Sequence, residues 1–158
     1  MRIFIAKDKH IPGIIEVWEE LMDFHKNIDT YWSRREDGHI TYEKFLREML
    51  ESEDAIVLVS VDNGRIVGYS SSRISEHPPT LEHDNYGEIT DMAVTAEYQR
   101  KGIGERMLKR ICEWFESRNI DRIELSAAAN NQISYSFWKK HGFQDFLHRL
   151  YLEKHNQR

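Results

Sequence analysis

The residues best suited to chemistry in this chain lie between positions 86 and 105. The run Gln99-Arg100-Lys101-Gly102-Ile103-Gly104 follows a strand-like segment, Ile89 to Val94, and opens an amphipathic helix. Glycines there leave backbone N–H groups bare at a helix start, where the aligned peptide dipoles also favour negative charge. The turn reads as a seat for a phosphate group, although glycines that merely allow close packing would look the same. It is not a P-loop, because no Lys-Ser or Lys-Thr follows the glycines. Nor is it a dinucleotide fingerprint, since the third glycine of that spacing is missing and the unit lies mid-chain after a hairpin. The preceding segment carries two carboxylates, Glu88 and Asp91. Strict alternation puts Ile89, Asp91 and Ala93 on one face and Glu88, Thr90, Met92 and Val94 on the other. Neither face is cleanly apolar, so carboxylates on both sides of a central strand need explaining.

Other chemistries are poorly supplied. The eight histidines include no pair at i, i+3 or i+4 spacing, which argues against a metal site. Cys112 lies on or beside the apolar stripe of its helix and reads as a packed small hydrophobe. No Ser-His-Asp elbow is visible. A net charge of −5 disfavours a nucleic-acid scaffold and is mildly compatible with a cationic substrate. No apolar stretch approaches the roughly 20 residues that a membrane span needs. The N-terminus turns polar at Lys7-Asp8-Lys9, too early for a secretory signal. A lone cysteine excludes an intrachain disulfide framework and suits a reducing compartment, so a cytoplasmic location is expected.

The elements that must position these residues follow from periodicity and turn signals. Arg2 to Ala6 reads as a first strand. Asp8 caps a helix with Ile11, Ile14, Ile15, Trp18, Leu21 and Met22 on one stripe, running to about His25. A loop over 29–39 leads to a helix capped by Thr41 and carrying Phe45, Leu46, Met49 and Leu50. Ala55 to Val61 and Arg65 to Ile74 flank Asn63-Gly64, a strong hairpin signal. A loop with Pro78-Pro79 precedes a strand from Tyr86 to Val94. A helix from Gly102 to about Ser117 carries Ile103, Met107, Leu108, Ile111 and Phe115 on one stripe. Ile120 to Ala127 is a strand, Asn131 to His141 a helix ended by Gly142, and Gln144 to Leu152 a final strand. The order β-α-α-β-β-β-α-β-α-β predicts an α/β (α+β) fold. Its central mixed, mostly antiparallel sheet has about six strands, with helices on both faces, in a single domain over 1–158.

Three motifs in order resemble the GNAT superfamily of N-acetyltransferases. Gln99, Gly102 and Gly104 match its Gln/Arg-x-x-Gly-x-Gly/Ala acetyl-CoA motif at every defined position. The run Tyr86-Gly87-Glu88-Ile89-Thr90-Asp91-Met92-Ala93-Val94 looks like the strand that precedes that motif. Phe137-Trp138-Lys139-Lys140-His141-Gly142-Phe143 is similar to the family's Phe-Tyr-x-Lys-x-Gly-Phe ending.

The resemblance implies acetyl-CoA as co-substrate, no metal, and direct acetyl transfer to a primary amine of a small molecule or peptide. Dimers are common in the family, so a homodimer is compatible. The diphosphate would lie against N–H groups of Lys101, Gly102, Ile103, Gly104 and Glu105, with Arg100 adding charge. Backbone of Met92, Ala93 and Val94 would hold the pantetheine arm, and the Met92 N–H would face the thioester carbonyl. Glu88 matches a position where several relatives keep a glutamate base. Asp91 is the second candidate, should a β-bulge common on this strand re-aim it into the cleft. Its alternative is to anchor a neighbouring loop.

Trp138 replaces the tyrosine that many relatives use as general acid, and an indole N–H is no proton donor near neutral pH. Tyr135, three residues earlier on the same helix face, is the candidate substitute, with packing its alternative. Asn131 matches a frequent CoA contact and is equally a helix N-cap. The family places substrate-side elements where Trp18 to Arg35 lies. Glu19, Glu20, Asp23, His25, Asp29, Tyr31 and Trp32 there make an acidic and aromatic wall suited to a cationic amine. The rival reading is a GNAT-fold module that holds acyl-CoA as a sensor and catalyses little.

Overall fold

The computed structural model describes residues 1–154, which fall into two compact units, one spanning 1–126 and a second beginning at Ala127. The first unit is built on one sheet in the order β1 (Arg2–Ile5), β2 (Ala55–Asp62), β3 (Arg65–Glu76), β4 (Asn85–Val94) and β5 (Ile123–Glu124). β1 to β4 pair antiparallel, and β5 runs parallel to β4. The mixed, mostly antiparallel sheet is therefore present with five strands instead of six. Gln144–Leu152 forms no strand. Alternation of Phe146, His148, Leu150 and Leu152 supplies a face, but a strand also needs a partner ladder, and the apolar residues of this segment are largely exposed. β5 is likewise reduced to two residues.

Local chemistry sets the boundaries. Asn63 and Gly64 both adopt left-handed φ, 48° and 77°, the geometry of the tight two-residue turn between β2 and β3. Helix α1 (Ile11–Ile28) starts later than expected. Asp8–His10 forms a 3-10 turn, and Pro12 occupies the first helical positions, where its missing N–H has no partner to lose. Helix α2 (Gly38–Glu51) begins before Thr41, with Asp37 at the cap position.

The two faces of the sheet are covered differently. Ile11, Ile14, Val17 and Trp18 of α1 and Leu46 and Met49 of α2 bury against Val57, Val59, Tyr69 and Ala93. Helix α3 (Ile103–Ser117) packs on the other face, where Ile103 and Met107 meet Val67, Met92 and Val94. That face is lined by Gly68, Ser70 and Ser72 on β3 and by Gly87 on β4. A Cβ on Gly87 would sit 2.7–2.9 Å from the Phe115 ring, so α3 approaches the sheet only because that carbon is missing. In the second unit, helix α4 (Gln132–Lys140) is capped by Asn131, whose side chain accepts from the Ser134 N–H at 3.1 Å. It ends before Gly142, which has φ 92°.

Candidate active site

A register shift in β4 decides where the carboxylates point. Ser71 pairs with Asp91 and Ser72 pairs with Ile89, which leaves Thr90 as the extra residue of a bulge. Tyr69, Ser71 and Arg73 share one face of β3, and their partners are Ala93, Asp91 and Glu88. Strict alternation, which separates Glu88 from Asp91, is thus overturned. The bulge brings both onto the face covered by α1 and α2, and moves Ile89 to the α3 side with Met92 and Val94.

The two carboxylates are held differently. Glu88 accepts from Arg73 Nη2 at 3.2 Å and from Ser75 Oγ at 3.0 Å. Its charge is matched by a guanidinium. Among the described residues no cation pairs with Asp91. Tyr42 of α2 donates its hydroxyl to Asp91 Oδ2 at 2.7 Å, and Tyr69 Oη lies 2.9 Å from Tyr42 Oη. Burial pushes the Asp91 carboxyl up to about 6, against the downward pull of the Tyr42 hydrogen bond. Burial and the neighbouring carboxylate raise both phenols well above their ordinary range.

The edge of β4 opens toward the glycine turn. β5 pairs with β4 only at Gly87–Ile123 and Glu88–Glu124, so within the first unit Ile89 to Val94 are laddered to β3 alone. The connection that follows is tied down on three sides. Thr95 N–H donates to Val67 O at 2.9 Å, Ala96 N–H to Glu20 Oε1 at 2.8 Å, and Gln99 Nε2 to Val94 O at 3.0 Å. Lys101 Nζ rests 4.8 Å from the Tyr98 ring, and Tyr98 Oη donates to Asp62. Gly102 then heads α3 at φ 78° with no side-chain cap, so the first-turn N–H groups of Ile103, Gly104 and Glu105 face outward from the helix end. Arg100 at φ 61° is also left-handed, a conformation a Cβ disfavours.

The anticipated acceptor wall is aromatic more than acidic. Arg34 takes up Glu19 at 3.2 Å and Asp23 at 3.5 Å, and Glu20 is bound to Ala96. Asp29 caps the 3-10 turn Thr30–Trp32 by accepting from Tyr31 N–H at 3.0 Å. His25 lies 6.4 Å from Trp32, and Trp32 lies 6.3 Å from Tyr31. Tyr31 and Trp32 remain 79% and 49% exposed.

In the second unit Tyr135 donates to both carboxylate oxygens of Asp145, at 2.9 and 3.0 Å, which holds its phenol above the usual range. The Trp138 indole N–H donates to Ser134 Oγ at 3.0 Å. Asn131 is engaged as the helix cap. Burial raises the Cys112 thiol, which removes thiolate character. Among the described residues no group of three His, Cys, Asp or Glu is placed to hold a metal ion, and no helix is long and apolar enough to cross a membrane.

Tyr42 is the site residue that sequence reasoning missed. It lies 49 positions from Asp91, on a helix stripe read only for its apolar members. Its position one turn before Phe45 and Leu46 was the available signal.

Comparison with known proteins gives this architecture, a bulged β4 running into a glycine-headed α3, its family. The Acetyltransferase (GNAT) family model matches residues 15–143, and the chain belongs to that family. An N-alpha-acetyltransferase of Sulfurisphaera tokodaii is 30% identical over 111 residues, covering 66% of this chain and 65% of that protein. A tetramutant of the BH1408 protein of Bacillus halodurans superposes with TM-score 0.88 at 20% identity, covering 97% of this chain and 99% of that one. A predicted acetyltransferase of Clostridium acetobutylicum, solved with acetyl-CoA, superposes with TM-score 0.79 at 23% identity over 96% and 95%. The chain spans 34–65% of the length of the first curated relatives it matches.

Proposed function

We propose that this chain is an acetyl-CoA-dependent N-acetyltransferase that transfers acetyl directly to a primary amine in a ternary complex. The observation that carries the reading is the edge of β4, Ile89 to Val94, which within the first unit is laddered to β3 alone and leads into the Gly102 turn of α3. A pantetheine arm laid along that edge adds to the sheet through the backbone of Met92, Ala93 and Val94. Its diphosphate meets the N–H groups of Lys101 to Glu105, with Arg100 and Lys101 supplying charge and Gln99 bracing the turn. Asn131 and Trp138 enter only through the family resemblance, as CoA contacts. The family match runs through both compact units, which supports taking them as one catalytic domain. The lone Cys112 suits a cytoplasmic enzyme.

The chemistry follows from the carboxylates. A primary amine arrives protonated and must lose a proton before its lone pair attacks the thioester carbon. Asp91, half-buried and with no cation on it among the described residues, is the base. Glu88, matched by Arg73, shapes the same wall. As the C–N bond forms, the carbonyl oxygen gains charge facing the Met92 N–H. The nitrogen of the adduct then gives its second proton to solvent as the C–S bond breaks and the CoA thiolate leaves, a tolerable leaving group because its thiol has a pKa of about 8.5. With Tyr135 held on Asp145, its final proton comes from solvent. His25, Tyr31 and Trp32 offer aromatic faces to a cationic acceptor, with Asp29 holding their turn.

The test is free-thiol release from acetyl-CoA with a panel of polyamine, aminoglycoside, amino-acid and peptide acceptors. Turnover on one class, reduced about 100-fold or more in Asp91→Asn, is the expected result. Tight acetyl-CoA binding without turnover on any amine would establish the sensor reading, which Trp138 in place of tyrosine favours.

A further inference from the structure

We propose that Tyr42 is a positioning residue for acetyl transfer, fixing Oδ2 of Asp91 so that Oδ1 is the oxygen that takes the amine proton. The inference rests on Asp91 being the base.

The argument is one of hydrogen counting. A phenol has a single proton to give. Tyr42 Oη lies 2.7 Å from Asp91 Oδ2, a carboxylate oxygen that only accepts, so the Tyr42 proton is committed there. Tyr69 Oη is 2.9 Å from Tyr42 Oη, and Tyr69 must therefore donate to Tyr42. Tyr69 is 0% exposed, so water does not compete for that proton. The chain Tyr69 to Tyr42 to Asp91 runs in one direction. Among the described residues Oδ1 accepts no hydrogen bond.

The Tyr42 ring cannot swing away. It is stacked on Trp18 of α1, centroids 4.6 Å apart at 19°, and on Phe45, 5.5 Å apart at 20°. When Oδ1 takes a proton from the amine, Tyr42 keeps donating to Oδ2 and nothing needs to rearrange. Such a one-sided clamp presents one carboxylate oxygen at a fixed place, the condition for efficient proton transfer.

The groups facing Asp91 are few. β3 presents Tyr69, Ser71 and Arg73, with Arg73 paired to Glu88. β4 presents Glu88, and α2 presents Tyr42. α1 contributes Trp18 through the stack, while its Glu20 is bound to Ala96. Burial raises the carboxyl and the Tyr42 bond opposes it. Removing that bond should raise it further.

The experiment follows the side-chain carboxyl of Asp91 by carbon-13 NMR in aspartate-labelled protein, its signal assigned by its loss in Asp91→Asn. The wild-type midpoint is expected near 6. Tyr42→Phe is expected to raise it by about one pH unit, the scale of one charge-assisted hydrogen bond. Tyr69→Phe should raise it less, because Tyr42 stays but loses the donor that polarises it. The acid limb of kcat/KM should move by the same amount in each variant, with whichever panel amine turns over. A folded Tyr42→Phe whose midpoint and acid limb match wild type overturns the proposal. Should Tyr42→Phe not fold, Tyr69→Phe decides: a raised midpoint supports the clamp and an unmoved one overturns it. Failure of the base reading shows elsewhere, as wild-type turnover in Asp91→Asn.

Discussion

Asp91 is kept where its charge is poorly solvated, and the chain tolerates this. Its carboxyl is raised from 3.8 to about 6, mainly by burial. A raised carboxyl binds its proton more tightly when folded than when unfolded, so the ionised form destabilises the fold. That penalty is absent below about pH 4, grows between pH 4 and 6, and is fully present above 6. Two units correspond to roughly 3 kcal/mol as an upper bound. Asp91→Asn should therefore raise stability by about 1–3 kcal/mol at pH 7.5 and by almost nothing at pH 4, read from urea midpoints. An equal gain at both pH values would show that charge is not the cause. Glu88, with Arg73 at 3.2 Å and Ser75 at 3.0 Å, carries no such conflict. Glu88→Gln should slow thiol release less than about tenfold, against about 100-fold for Asp91→Asn. The reverse order would make Glu88 the base.

At the level of elements, the proposed ligand-binding group is the backbone, and side chains test it only by obstruction. Gly104→Glu brings a carboxylate to the first turn of α3, where the diphosphate is proposed to sit. Acetyl-CoA affinity by calorimetry should fall at least about tenfold with the melting temperature kept, because an acidic residue near a helix N-terminus is itself favourable. Unchanged affinity would remove the turn from the site. The packing of α3 on the sheet makes a second point. Gly87→Ala forces a carbon to within 2.7 Å of the Phe115 ring and should destabilise by about 1–3 kcal/mol. Ser72→Ala on the same face should be neutral or stabilising, because the buried Ser72 hydroxyl has no partner among the described residues. Small residues there serve close approach, and hydroxyls add nothing to it.

For the molecule as a whole, ligand binding and folding are linked. Acetyl-CoA at about 100 times its dissociation constant stabilises the folded state by about 2.7 kcal/mol. A chain of 158 residues should then melt about 5–10 °C higher, in a scan with and without the ligand. A scan without any shift at saturating acetyl-CoA would deny the family's co-substrate to this chain. Much of the frame was legible beforehand. The Asn63-Gly64 hairpin, the apolar stripe of α3 and the Gln99–Gly104 turn stand where their residue types put them. The sixth strand failed because alternation in 144–152 describes one segment, while a strand requires two. Spacing along α1 did not show that Arg34 folds back onto Glu19 and Asp23, which tempers the charge of the proposed wall.

What the sequence determined was local: which residues turn, which stripe is apolar, and which glycine heads a helix. These depend on side-chain shape and spacing over a few positions, and so they survive any arrangement of the rest. Only the tertiary structure decided that Asp91 shares a face with Glu88, because one unpaired residue at Thr90 inverts the alternation. Only it brought Tyr42 across 49 positions to the carboxylate, since that contact is set by how α2 seats on β3 and β4. Periodicity carries the face of an element; the partner on the opposing element is fixed by packing.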